Sequence, residues 1–158
     1  LTLKNRTGTG NEAVFLINTR IKLVKQLMTN HVIINGNHIH DISSFYEEIN
    51  RVFMAEEDWK IGCSLDAFND LLYGGFGILN KTEQPVLIWT AIEKSKEALG
   101  YDATKAYYQQ KIDAGPVFNT SFFEHKLTEL MEGKGQTYFD IVIEIIAGHP
   151  EISLELQP

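Results

Sequence analysis

Residues 62–77 read GCSLDAFNDLLYGGFG, and the fold of this stretch governs the reading of everything around it. Ser64 suits a helix N-cap, because its hydroxyl can accept a hydrogen bond from the free amides of the first turn. Gly74 and Gly75 end the helix, since glycine accepts the left-handed backbone that closes one. The spacing therefore predicts a short helix from Leu65 to about Tyr73. Leu65, Phe68, Leu71 and Leu72 form its apolar stripe. Asp66, Asn69, Asp70 and Tyr73 fall at i, i+3, i+4 and i+7 and line a second, polar face.

Working outward, PVLIW (residues 85–89) is a nearly all-apolar run of the kind found in strands covered on both faces. The following segment, residues 90–100, predicts a helix capped by Thr90 and stopped by Gly100. Residues 103–113 predict a further short helix. Residues 119–135 predict a longer one starting at Ser121, with Glu124 set for a capping box and Gly133 as the stop. YFDIVIEIIA (138–147) reads as a strand, and EISLEL (151–156) as one more after the His149-Pro150 break. Upstream, Val32 to Ile34 is a β-branched run ending in an Asn35-Gly36 reversal. Residues 41–54 then give a helix capped by Ser43 or Ser44, with Glu47 in capping-box position and Phe45, Ile49, Val52 and Phe53 on one face. Trp59 and Trp89 read as core or near-core aromatics. The order β-α-α-β-α-α-α-β implies an α/β domain with a small parallel-containing sheet and helices packed on it.

Residues 1–27 differ in composition. They carry five bases and one acid, whereas residues 28–158 carry nine bases and twenty acids. The stretch 13–25 reads as two short strands about Asn18-Thr19, a possible β-hairpin. Met28 is a natural start for the main domain, so residues 1–27 are an N-terminal extension, an upstream or linker remnant, or a native hairpin of the same fold. The expected division is 1–27 and 28–158.

At 44% hydrophobic and 22% charged residues, the composition is that of an ordinary globular chain. No apolar run approaches the roughly 20 residues of a membrane span. The lone Cys63 forbids an internal disulfide, which points to a reducing, cytoplasmic setting. A net charge of −7 argues against direct nucleic-acid binding and favours basic partners. His38, His40 and Asp41 resemble a metal-ligand trio, but no matching ligands stand at zinc-type spacing, so neither a metal nor a cofactor is expected. His125 and His149 read as isolated surface residues. No nucleophile elbow or phosphate loop is present. The Asp66/Asp70 pair admits three readings on spacing alone: a solvated helix face, an acid/base pair, or a site for a cationic ligand.

Four stretches, INGNHIHDISSFYEEI, GCSLDAFNDLLYGGFG, VLIWTAIEKSKEALG and FDIVIEI, together and in order resemble the barstar family. The resemblance spans roughly residues 31–147, and its most specific part is Gly62, Leu65-Asp66-Ala67, Asp70 and Gly74. It implies a three-stranded parallel sheet flanked by helices. It also implies a protein that plugs the active site of a secreted-type ribonuclease inside the producing cell. The two acidic contact positions of the family are matched by Asp66 and Asp70, the second standing where the substrate phosphate would. The partner-facing set is then Asp66, Asp70, Ser64, Asn69, Tyr73, Gly62 and Lys60. Several family side chains are replaced: the aromatic before the helix by Lys60 or Ile61, the cap Asn by Ser64, the Trp beside the second acid by Asn69, and the Thr near the helix end by Tyr73. Glu129 or Glu132 would supply the acid that the family takes from a later helix. The expected partner is a basic ribonuclease or related toxin. The competing readings are a regulatory module with a non-nuclease partner and a carboxylate-based hydrolase.

Overall fold

The computed structural model describes residues 9–158. After helix α1 (Thr9–Thr29) the chain runs through β1 (His31–Asn35), α2 (Ile42–Phe53), α3 (Leu65–Leu72), β2 (Val86–Thr90), α4 (Ile92–Ala98), α5 (Tyr101–Asp113), α6 (Thr120–Met131), α7 (Tyr138–Ala147) and β3 (Ser153–Leu156). The strands form one parallel sheet in the order β1-β2-β3, with Ile34 opposite Trp89 and Leu87 opposite Leu154. A small parallel sheet flanked by helices is the expected architecture.

Alternation along the strands sets which face is covered. Val32, Ile34, Leu87 and Trp89 point into the core and are buried, whereas Ile33 on the other face is 54% exposed. Val86 and Ile88 are only half-buried, so PVLIW is fully covered on one face rather than both. Trp89 stacks on Phe45 (centroids 5.9 Å apart), Phe45 meets Phe68 edge-on at 5.5 Å, and Phe139 tilts against Trp89 at 5.6 Å. The core thus joins β2 to α2, α3 and α7. Two buried polar contacts fix it further. The Trp89 indole N–H donates to Ser95 Oγ (2.9 Å), and the Tyr46 and Tyr138 hydroxyls share a hydrogen bond of 2.7 Å. Burial is the main cause that raises both phenols above their ordinary value, so both stay protonated.

Several local expectations are corrected. Residues 13–25 form no hairpin: they lie within α1, whose Val14, Ile17, Ile21 and Val24 recur at helical spacing, and the Thr19 hydroxyl bonds back to the Phe15 carbonyl (2.8 Å). Those apolar side chains remain exposed, so this part of α1 adds little to the core. Residues 1–8 of the expected extension lie outside the described residues. Residues 138–147 form helix α7, not a strand, and Thr137 with Asp140 makes its capping box. The third strand is 153–156 instead. Asp41, not Ser43 or Ser44, caps α2, with Ser44 completing the box. Asn119, not Ser121, caps α6. Thr90 still pairs with Asn35 in the sheet, so the cap position of α4 falls on Ala91, in left-handed geometry. Trp59 is 45% exposed and leans on Phe76.

At Asn35-Gly36 the chain makes a single 3-10 turn over Gly36–His38 rather than a hairpin. Glycine is needed there for space. A Cβ on Gly36 would stand 2.5 Å from the carbonyl oxygens of Thr90 and Ala91.

Candidate functional site: the acidic face of α3

The loop before α3 is held from below by Asn50 on α2. Its buried carboxamide accepts from the Ile61 N–H (2.8 Å) and donates to the Ile61 carbonyl (3.2 Å). One side chain thereby satisfies both polar groups of a loop residue. Three residues on, Ser64 caps α3 by accepting from the Ala67 N–H (3.1 Å). Phe68, Leu71 and Leu72 are buried, which fixes the roll of the helix. At the far end Gly74, with φ +74°, lets the chain leave.

With that roll fixed, Asp66 and Asp70 face solvent, as do Lys60, Gly62 and Ser64. Among the described residues neither aspartate has an ion-pair partner. Asn69 is half-buried and turned aside: its Oδ1 lies 2.9 Å from His149 Nε2. Tyr73 is 71% exposed and meets the His149 ring edge-on at 4.6 Å. His149 itself is buried, contrary to the surface position expected for it. On the other flank stands Tyr107 of α5. Its phenol is raised by burial first, then by Tyr108 and by the Asp66 charge.

Beside Asp66 a cavity of about 680 Å³ opens between the start of α2, Cys63 and α5. Tyr107, Phe118 and Ala106 line it, and the Lys111 ammonium lies 3.9 Å from the Phe118 ring centre. Asp66 and Asp70 are not among its lining residues, so the acid pair stands outside the cleft rather than inside it.

The His38, His40 and Asp41 trio does not converge. His38 bonds Glu48 (2.8 Å) and Asn35, while Asp41 caps α2. Among the described residues no group of three or more potential ligands gathers. Glu129 pairs with Lys126 and Glu132 with Lys134, and both sit at the end of α6, which packs chiefly on α5. The later helix packed against α3 is α7, whose exposed Glu144 accepts from Gln136 (2.7 Å). Reading α7 as a strand hid Glu144, although the Thr137–Asp140 spacing was a signal for a helix start. Nothing local in the sequence could reveal His149, because its partner Asn69 lies 80 residues away.

The family model described as Barstar (barnase inhibitor) matches residues 29–109, just over half of the chain. The chain belongs to the barstar family. The matched barstar region includes β1, α2, the Asn50-held loop, all of α3 and β2, and ends within α5. Its residues thus contain the whole acidic face, while α6, α7 and β3 lie beyond it, as does the FDIVIEI stretch of the resemblance. No curated protein sequence gives a match. Among the described residues no helix is long and apolar enough to cross a membrane.

Proposed function

We propose that this barstar-family chain is an intracellular inhibitor, an immunity protein, that blocks the basic active site of a ribonuclease-type toxin with α3. One observation carries the proposal: Asp66 and Asp70 stand in solvent on one face of a capped, well-anchored helix, and among the described residues no cation pairs with either. Like charges at i, i+4 repel by a few tenths of a kcal/mol, roughly. Guanidinium and ammonium groups of a partner would turn that repulsion into charge-assisted hydrogen bonds. In this reading Asp70 meets the cations that hold the substrate phosphate, and Asp66 supports it. Asn69 and Tyr73 stand along one side of Asp70 and, with Lys60, Gly62 and Ser64 before or at the helix start, set partner choice. An acid from a later helix joins them, with Glu144 of α7 the first to test because α7 packs on α3. Residues 28–158 form the inhibitor domain, and residues 1–27 are an extension of it.

The acids stand on an exposed helix and outside the neighbouring cavity, which favours docking over hydrolysis. The replaced neighbours Lys60, Asn69 and Tyr73 bear on which ribonuclease is met, whereas the retained acids carry the phosphate mimicry. The test is to titrate the full chain into a secreted, barnase-type ribonuclease and follow RNA cleavage. One-to-one loss of cleavage that weakens as salt rises is expected. Full cleavage at tenfold molar excess of the chain contradicts a ribonuclease of that type as the target.

A further inference from the structure

We propose that His149 is a positioning residue of the α3 face, fixing Asn69 and Tyr73 along one side of Asp70 before any partner arrives. The inference rests on reading α3 as the docking face and adds how that face is kept in order. His149 lies in the short link between α7 and β3, and its ring is 4% exposed. The backbone around it is tied at both ends: its N–H donates to the Ile146 carbonyl (3.0 Å), and its carbonyl accepts from the Ile152 N–H (2.9 Å). A ring anchored in this way has few places to go.

From there it reaches two residues one helical turn apart. Asn69 Oδ1 can only accept, so His149 Nε2 carries the proton and donates to it at 2.9 Å. The Tyr73 ring packs edge-on against the imidazole at 4.6 Å, in the geometry that aromatic quadrupoles prefer. On the far side, Nδ1 lies 3.4 Å from the Glu151 carboxylate. An exposed tyrosine at a helix end would otherwise sample several rotamers, and ordering it on binding would weaken the complex. His149 removes that freedom in advance without contacting the partner itself. Among the described residues no hydrogen bond or ion pair joins it to Asp66 or Asp70, so the charges that steer association are set apart from it.

The test uses the free full-length chain, so its outcome does not depend on whether a ribonuclease is the partner. Side-chain NMR signals of Asn69 and Tyr73 are compared in wild type, His149→Ala and His149→Gln. In His149→Ala, the Asn69 side-chain amide should shift and the ring-current displacement of the Tyr73 protons should vanish. The backbone amides of Asp66 and Asp70 should stay in place. Glutamine keeps an N–H donor but no ring, so His149→Gln should restore the Asn69 signal and not the Tyr73 displacement. Wild-type Asn69 and Tyr73 signals in His149→Ala overturn the proposal. So does failure of His149→Gln to restore Asn69, or loss of hydrogen-exchange protection along α3, which would make His149 a structural residue of the helix.

Discussion

Glu48 carries an acid almost wholly out of water, and three donors keep it charged. Burial alone would raise its carboxyl. Hydrogen bonds from Arg51, from the Asn35 N–H and from His38 outweigh that and hold it at about 2, against an ordinary 4.5. Because the folded value is the lower one, the contribution is complete above about 4.5 and fades as pH falls from there toward 2. Stability of Glu48→Gln, followed by urea unfolding across that window, should decline less steeply with acidification than wild type. Parallel curves for the two proteins would contradict the assignment. At this scale the sequence was legible where spacing alone decides. Asp66 and Asp70 share a face because four residues are close to one helical turn, and Ser64 caps because its hydroxyl reaches the next turn. It was not legible at Glu48, Asn50 or His149. Each is a polar residue placed inside by partners from other elements, and a single chain shows no sign of such partners until it has folded.

Among the elements, α3 is short enough to need outside support, and Asn50 supplies much of it. Removing its carboxamide strands the Ile61 N–H and carbonyl in a dry setting, at a cost of about 1–3 kcal/mol. Asn50→Ala should therefore lower the unfolding midpoint and speed amide exchange at Ile61 ahead of α3. An unchanged midpoint with unchanged exchange would refute the clamp. The helices α2 to α6 and the strands β1, β2 and β3 were readable from periodicity and turn residues, α2, α4 and α6 with their caps misplaced. The other errors have physical causes. In α7 the β-branched Ile and Val favoured a strand by propensity, but packing of Tyr138, Val142 and Ile146 on one side made a helix the better burial. In α1 the Asn18-Thr19 pair lacks the glycine that a two-residue hairpin wants, and Val14, Ile17, Ile21 and Val24 keep a helical period.

At the scale of the whole molecule, charge and shape work together. Residues 28–158 hold twenty acids against nine bases, and α3 brings two of those acids out where no cation of the described chain pairs with them. A field of that sign draws in basic proteins and weakens with salt. Barnase with barstar, the pair that gives the family its description, is the reference case for such steering. Association with a basic ribonuclease should accordingly slow as ionic strength rises, and a salt-independent rate measured by stopped flow would contradict steering. The three-stranded parallel sheet followed from the resemblance, whereas strand patterning overstated the cover of PVLIW, which is complete on one face only. The site needed the fold to show that its acids stand outside the adjacent cavity and that α7, not α6, is the later helix packed on α3. In the proposed complex the charge on Asp70 holds the partner. That role is tested most directly by the Kd of Asp70→Asn for the inhibited ribonuclease beside that of Glu124→Gln, an exposed acid on α6. A loss of about 2 kcal/mol or more for the first, near thirtyfold in Kd, with wild-type binding for the second, is the predicted result. Equal affinity for wild type and Asp70→Asn would contradict the account.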